Sequence, residues 1–188
     1  MSNPPFISSH QARQQVVDAI EQVTSRIDTF GFAIWPLMPY TERGIPPGFI
    51  TIGCTKIGIP EFYVSGIPAH SDEADQLIKT LREFYSYARD NAMGIEPMEL
   101  CHMVNTRDEG QIVPQYQYRP VDSERLMYGQ CTILRHWAES VGLKEQVMGV
   151  QIVHRQTPEA DFPMYSTPAQ LLLDWTPFGF KQEVVTGV

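Results

Sequence analysis

The sequence contains few cysteines, and none of them forms a CxxC pair. Cys54, Cys101 and Cys131 are widely spaced and odd in number, which is the cysteine usage of a reducing compartment. The N-terminus also lacks the basic and apolar regions of a signal peptide, and no apolar run approaches the ~20 residues that a membrane-spanning helix needs. We therefore expect a soluble, cytoplasmic protein without membrane contact.

Basic residues are too few to favour nucleic acid as a ligand. Lys and Arg together number 14 against 22 Asp and Glu, which gives a net charge of −8. Nonspecific nucleic-acid binding depends on basic residues that neutralise phosphates, and no stretch of this chain is dense in them. We expect no nucleic-acid binding, whereas an acidic protein remains suited to the basic surface of a partner protein.

The common catalytic motifs are missing as well. The sequence has no P-loop, no GxGxxG, no GxSxG and no HExxH, which counts against the commonest nucleotide-hydrolysing, dinucleotide-binding, α/β-hydrolase and zinc-protease mechanisms. Cys101 and His102 are adjacent on a predicted strand, so their side chains would point to opposite faces and could not share an ion. No metal site is predicted, and the sequence indicates no particular cofactor.

What is present is a chain of 188 residues, 43% of them hydrophobic, which suits one domain with a buried core. Its most regular stretch is 48–68. Two β-rich runs there, at 49–55 and 61–65, are joined by Gly58-Ile59-Pro60 and bracketed by further Gly and Pro residues. This punctuation predicts a hairpin or a strand–turn–strand unit.

Apolar periodicity predicts the other elements. We expect helices at 9–28, between Ser71 and Asn91, and at 124–141, and strands at 30–37, 98–104, 111–119 and 147–153. This order predicts an α+β fold, a single domain over 1–167 with a mixed or mainly antiparallel sheet and about three helices packed on one face of it. The remaining residues, 168–188, are predicted to be a C-terminal tail with a short helix at 168–174.

Two residues of the central unit are candidates for chemistry. Cys54 is a possible nucleophile if His102 or His154, both on predicted strands, lowers the pKa of its thiol; the alternative is a buried structural cysteine. Glu61 directly follows the turn. It either accepts hydrogen bonds from backbone N–H groups of that turn or faces a pocket and binds a ligand hydroxyl or a cation.

Polar residues on two later strands are further ligand-binding candidates. Tyr116 and Tyr118 share one strand face and Arg119 lies on the other. Aromatic rings beside a guanidinium can hold a planar or anionic ligand, and the alternative is a cross-strand aromatic ladder with a solvated arginine. Gln151 interrupts an apolar run, so it is either hydrogen-bonded in the core or directed into a site.

The motif in the central unit resembles that of the domain-of-unknown-function 4262 family of bacterial and phage proteins. Thr51-Ile-Gly53, Pro60-Glu61 and Gly66-Ile-Pro68 match its Thr-Ile-Gly, Pro-Glu and Gly-Leu-Pro segments. A second match, at Gln151-Ile-Val153 and Phe162-Pro163, extends the resemblance over about residues 28–165. Through the first motif, Thr51 joins the ligand-binding candidates.

The chain also departs from that pattern. Ile59 stands where the family has a histidine before Pro-Glu, and His154-Arg155 stands where it has Trp-Pro. If the family's histidine takes part in function, this chain lacks it. The resemblance implies a single cytoplasmic α+β domain and implies no activity.

We predict a non-catalytic binding module for a small ligand or a protein partner, in a phage–host or defence setting. Polar residues at strand ends without a complete acid–base or nucleophile set favour this prediction. A second hypothesis is a hydrolase or transferase that uses Cys54 or Glu61 with a strand histidine. A third is a flavin- or nucleotide-binding barrel.

Overall fold

The computed structural model describes residues 9–38, 47–107 and 116–154, and a five-stranded sheet lies at its centre. The strands are β1 (Ala33–Leu37), β2 (Gly48–Ile52), β3 (Glu61–Ser65), β4 (Tyr116–Val121) and β5 (Gly149–His154). Their order across the sheet is β1-β2-β3-β5-β4. Among the described strands, only the β3–β5 pair is parallel. The sheet is therefore mixed, as predicted, and within the described residues it is open, with β1 and β4 at its edges.

Helices flank this sheet and complete an α+β fold, which confirms the predicted class. The α-helices in the described ranges are α1 (Ser9–Phe30), α2 (Asp72–Asp90), α3 (Pro97–Arg107) and α4 (Thr132–Ser140). A π-helix (Arg125–Gln130) and two 3₁₀ turns (Cys54–Ile57 and Lys144–Gln146) lie between these elements. None of the helices described is long and apolar enough to cross a bilayer.

The helices cover both faces of the sheet, not one face as predicted. Phe62 and Val64 of β3 pack into a cluster with α2 and α3, whereas Tyr63, which points the other way, packs into a second cluster with α1 and α4. Every residue of β2 and β3 is buried. A strand covered on both faces has no solvent-facing positions to carry polar residues, which is why β2 is an almost unbroken apolar run.

Helix α2 forms where the sequence predicts it. The Ser71 hydroxyl accepts a hydrogen bond from the Ala74 N–H at 3.2 Å, which caps the first turn. Asp72, Glu73 and Asp75 occupy that turn, where carboxylates interact favourably with the helix dipole. The helix buries its apolar side against the sheet through Ala74, Leu77, Leu81, Tyr85 and Ala88.

The strand predicted at 98–104 is wrong, because these residues belong to α3. Pro97 is the first residue of the helix, where its missing N–H costs nothing and its fixed φ suits the first turn. Leu100 and Cys101 are buried and Val104 is half-buried, so the buried positions follow a helical period. A short apolar run does not distinguish a helix from a strand.

The helix predicted at 124–141 is divided in two. The Cys131 N–H donates to the Leu126 carbonyl at 2.9 Å, a bond that spans five residues and closes the π-helix. Cys131 itself leaves the helical conformation at φ −142° and ψ 84°, and α4 begins after it. Gly142, with φ +72°, follows the end of α4, as predicted, because glycine adopts this left-handed conformation without strain.

The other predicted elements differ from the observed ones mainly at their ends. Helix α1 extends to Phe30, beyond its predicted end at 28, and β1 begins at Ala33, not at 30. Strand β2 ends at Ile52, and the residues predicted to continue it enter the Cys54–Ile57 turn. Part of the strand predicted at 111–119 and the whole tail 168–188 lie outside the described residues.

The two covered faces lead to a matched pair of stability predictions. Leu81→Ala on α2 and Leu134→Ala on α4 each remove a buried side chain, and we expect each to lower the free energy of unfolding by about 2–5 kcal/mol. Urea unfolding measures the loss. Val17→Ala, at a position on α1 that is 46% exposed, is the control and changes stability by less than about 0.5 kcal/mol. If either leucine variant matched this control, helices would not cover both faces.

Candidate functional site

The carboxylate of Glu61 lies at the start of β3 and accepts hydrogen bonds from the turn that precedes it. Its Oε1 atom accepts from the Gly53 N–H at 2.9 Å, the Thr55 N–H at 3.0 Å and the Thr55 hydroxyl at 2.9 Å. Its Oε2 atom accepts from the Thr51 hydroxyl at 2.8 Å. We call these residues, with Cys54, the Glu61 turn. It matches the structural alternative for Glu61, in which the carboxylate binds backbone N–H groups.

The local backbone explains why these donors converge. Gly53 adopts φ +118°, a conformation that L side chains rarely take. A Cβ at this position would lie 2.9 Å from Ile27. The 3₁₀ turn begins directly after Gly53, and N–H groups at the start of a helical turn have no partner within it. The Glu61 carboxylate supplies that partner.

The Thr51 hydroxyl connects the carboxylate to the next strand and to Cys54. It accepts from the Phe62 N–H at 2.8 Å and from the Cys54 thiol at 3.6 Å while it donates to Glu61. A hydroxyl has one donor and two acceptor positions, so these three bonds use all of them. The structure therefore brings together Thr51, Cys54 and Glu61, three of the predicted site residues.

This group of residues is closed to solvent. Thr51 and Glu61 are 0% exposed and Cys54 is 1% exposed. Burial raises the pKa of Glu61, and the hydrogen bonds from Thr55, Thr51 and Gly53 oppose that rise. Burial, and then the nearby Glu61 carboxylate, raise the pKa of the Cys54 thiol well above its ordinary value. A protonated, buried thiol is a poor nucleophile.

The predicted histidine partners of Cys54 lie elsewhere. His102 belongs to α3, not to a strand, and is exposed. His154 ends β5, which runs parallel to β3 with Gly149 beside Glu61. Five residue steps of about 3.3 Å therefore separate His154 from the Glu61 end of the sheet, about 16 Å in all. The structure places the cysteine and this strand histidine at opposite ends of the sheet.

The predicted site residues of β4 and β5 lie on both sheet faces. Gln151 pairs in register with Tyr63 on one side and Arg119 on the other, and it is 1% exposed. Tyr116 and Tyr118 pack against the α2 side of the sheet. The Tyr116 hydroxyl donates to Glu73 at 2.8 Å, and burial, followed by Glu73, raises its pKa. These residues do not converge with the Glu61 turn.

A basic cleft lies beside strand β1, and the sequence analysis missed it. Its volume is about 590 Å³. It is lined by Arg26 of α1, Ile34 and Pro36 of β1, Ala69 and His70 before α2, and Asp75, Ile78, Lys79 and Arg82 of α2. Lys79 and Arg82 are three residues apart on α2, but Arg26 is more than fifty residues away in the sequence. Only the tertiary structure, in which α1 and α2 both border the edge strand β1, brings the three together.

No ion pair within the described part of the chain neutralises the cations of the basic cleft. Among the residues that the structure describes, Arg26, Lys79 and Arg82 form no salt bridge. Arg26 donates to the Ile34 carbonyl at 3.4 Å, and the Arg82 guanidinium lies 5.3 Å from the centre of the Phe30 ring. Asp75 is the one carboxylate among the described residues of the lining. The cleft therefore offers positive charge to an anion.

A second cleft, of about 420 Å³, has the opposite charge, with Glu96, Glu99 and Glu145 in its lining.

Within residues 9–38, 47–107 and 116–154, no group of three or more His, Cys, Asp or Glu side chains is arranged to hold a metal ion.

Comparison with protein-family models, with curated proteins and with solved structures finds no match to this chain. The resemblance to the domain-of-unknown-function 4262 family therefore stays a prediction.

Replacement of Glu61 tests the role of the turn. Glu61→Ala leaves four donors without their acceptor, each at a cost of about 1–3 kcal/mol, so we expect a loss of about 3 kcal/mol or more in the free energy of unfolding. Glu61→Gln keeps the shape and one acceptor oxygen, and its loss should be smaller. Urea unfolding of both variants measures this order. Glu21→Ala, at an exposed position of α1, is the control, and a Glu61→Ala protein as stable as this control would contradict the proposed role.

The buried thiols provide a chemical test of Cys54. Burial also raises the pKa of Cys101 and of Cys131 to about 12, so thiolates are scarce near neutral pH. With a chromogenic disulfide reagent, we expect the native protein to react slowly and the urea-unfolded protein to release all three thiols. A fast reaction of one thiol in the native protein, lost in Cys54→Ser, would instead indicate an activated nucleophile.

Proposed function

We propose that this domain is a non-catalytic binding module and that its basic cleft holds a small anionic ligand. The observation that carries the proposal is the set of three cations, Arg26, Lys79 and Arg82, that line one cleft without an ion pair among the described residues. A volume of about 590 Å³ is in the usual range for small-molecule sites.

The charge of the whole chain makes this cleft distinctive. The protein carries a net charge of −8, yet the described residues of the cleft lining include three Arg or Lys side chains and a single carboxylate, Asp75. An acidic protein repels anions over most of its surface, and a cluster of basic side chains reverses this effect only in its own neighbourhood. An anion is therefore attracted to the cleft and not to the surface in general. Arginine also donates from a planar fork that matches carboxylate and phosphate oxygens.

The edge strand beside the cleft favours a small ligand over an added peptide strand. A peptide that extends the sheet needs free N–H and C=O groups on the outer edge of β1. Pro36 has no N–H to offer, and the Ile34 carbonyl already accepts from Arg26. Both features are common protections of sheet edges. A carboxylate or phosphate group needs only the side chains of the cleft.

The catalytic alternative has less support. It requires Cys54 or Glu61 to meet a substrate, and both are buried and hydrogen-bonded within the Glu61 turn. Membership of the domain-of-unknown-function 4262 family and a phage–host or defence setting are part of the same proposal. They rest on the sequence motifs alone and name no ligand.

Titration with citrate and with inorganic pyrophosphate tests the cleft. At low ionic strength, we expect calorimetry to detect one site for at least one of these anions. Lys79→Glu should weaken its binding by about tenfold or more, because it replaces an attraction of at least about 1.4 kcal/mol by a repulsion. Added salt should weaken the binding further, as it screens exposed charges.

Arg89→Glu is the matched control. Arg89 lies on the same helix, outside the cleft lining, and forms an ion pair with Asp90 at 2.9 Å. The control should change the binding of either anion by less than about twofold, since distant exposed charges are screened. Absence of binding by both anions, or an equal loss in the two variants, would contradict the proposed site.

A further inference from the structure

An apolar groove lies between α2 and α3, on the side of α2 away from the basic cleft. Its volume is about 560 Å³. It is lined by Thr80, Glu83, Phe84 and Tyr87 of α2, Met93 before α3, and Met103 of α3. Tyr87 is 60% exposed and Met103 is 38% exposed. We call this surface the α2/α3 groove.

The groove is continuous with the protein core. The Phe84 ring packs edge-on against Phe62 of β3, with 6.0 Å between the ring centres, so one wall of the groove is anchored in the sheet. The two methionines of its lining are flexible and polarisable, which allows them to fit apolar side chains of varied shape. Such a surface suits an apolar segment laid along the two helices.

The chain carries an apolar segment of the right kind beyond the described residues. Residues 169–180 read Ala-Gln-Leu-Leu-Leu-Asp-Trp-Thr-Pro-Phe-Gly-Phe, in which half of the side chains are large and apolar. They are Leu171, Leu172, Leu173, Trp175, Phe178 and Phe180. Exposure of so much apolar surface to water is unfavourable, at roughly 25 cal/mol for each Å².

The path from the sheet to the groove is short enough. The last described residue, His154, pairs with Tyr116, and the Tyr116 hydroxyl bonds to Glu73 in the first turn of α2. From Glu73, the groove positions Thr80 and Tyr87 lie 7 and 14 residues along α2, about 10 and 21 Å. The connection 155–168 can extend over about 45 Å. It therefore reaches every point of the groove.

We propose that residues 169–180 of this chain bind in the α2/α3 groove of the same molecule, with Leu171, Leu172 and Trp175 against the two methionines. The short helix that the sequence predicts at 168–174 is about 10 Å long, which matches the distance between Thr80 and Tyr87 along α2. Among the described residues of the groove lining, Glu83 is the only charged one. Lys181, which follows the apolar segment, carries the opposite charge. This docking is independent of the anion proposed for the basic cleft.

Photo-crosslinking of the 188-residue chain tests the docking. The photoreactive substitution Tyr87→p-benzoylphenylalanine places the probe at an exposed groove position, and Met103→p-benzoylphenylalanine places it on the opposite wall. We expect mass spectrometry to map both crosslinks to residues 169–180. Gln76→p-benzoylphenylalanine, at an exposed position of α2 outside the groove lining, is the control and should not crosslink to this segment.

An equal mixture of ¹⁴N- and ¹⁵N-labelled protein identifies the source of the segment. Docking within one molecule gives crosslinked peptides with a single label, whereas mixed labels would show that a second copy fills the groove and would overturn the proposal. Crosslinks from the groove positions to other peptides would also overturn the proposal. So would the absence of any crosslink from both positions, provided that the substituted proteins melt at the same temperature as the unsubstituted chain. Leu172→Asp and Trp175→Ala should remove the crosslink while the melting transition of the domain is kept.

Discussion

The hydrogen bonds of the buried Glu61 carboxylate hold together the centre of this protein. They join the end of β2, the 3₁₀ turn and the start of β3, and Thr51 extends the network to the backbone of β3 through Phe62. A carboxylate removed from water is costly unless donors surround it, and here four donors do so. This requirement fixes the turn geometry, since Gly53 must adopt a positive φ to direct its N–H at the carboxylate.

The burial of the central strands determines where the surfaces open to ligands lie. Because β2 and β3 are buried on both faces, helices must cover both sides of the sheet, and the surfaces open to ligands lie at the helix margins. Helix α2 illustrates this arrangement. One side of it packs on the sheet, a second lines the basic cleft through Lys79 and Arg82, and a third lines the α2/α3 groove through Phe84 and Tyr87.

The parts of the fold that local sequence signals specify were predicted well. Helix α2 has a capping serine, an acidic first turn and a wide apolar stripe, and β3 lies between clear Gly and Pro boundaries. The prediction of a strand at 98–104 was wrong, because a short run around Leu100 and Cys101 carries no period long enough to separate helix from strand. The division of the helix predicted at 124–141 depends on one five-residue hydrogen bond, which leaves little trace in composition.

The sequence by itself determined the α+β class, through the order of its periodic segments, and the central strand–turn–strand unit, through local Gly and Pro signals. It offered the hydrogen bonding of Glu61 to backbone N–H groups as one of two alternatives, and the structure shows these bonds. It also named Thr51 and Cys54, which join that turn. Only the tertiary structure decided that helices cover both sheet faces and that His154 lies far from Glu61. The basic cleft is likewise tertiary, since Arg26 and Lys79 meet only when two helices pack beside the same edge strand, and no local pattern records which distant side chains share a surface.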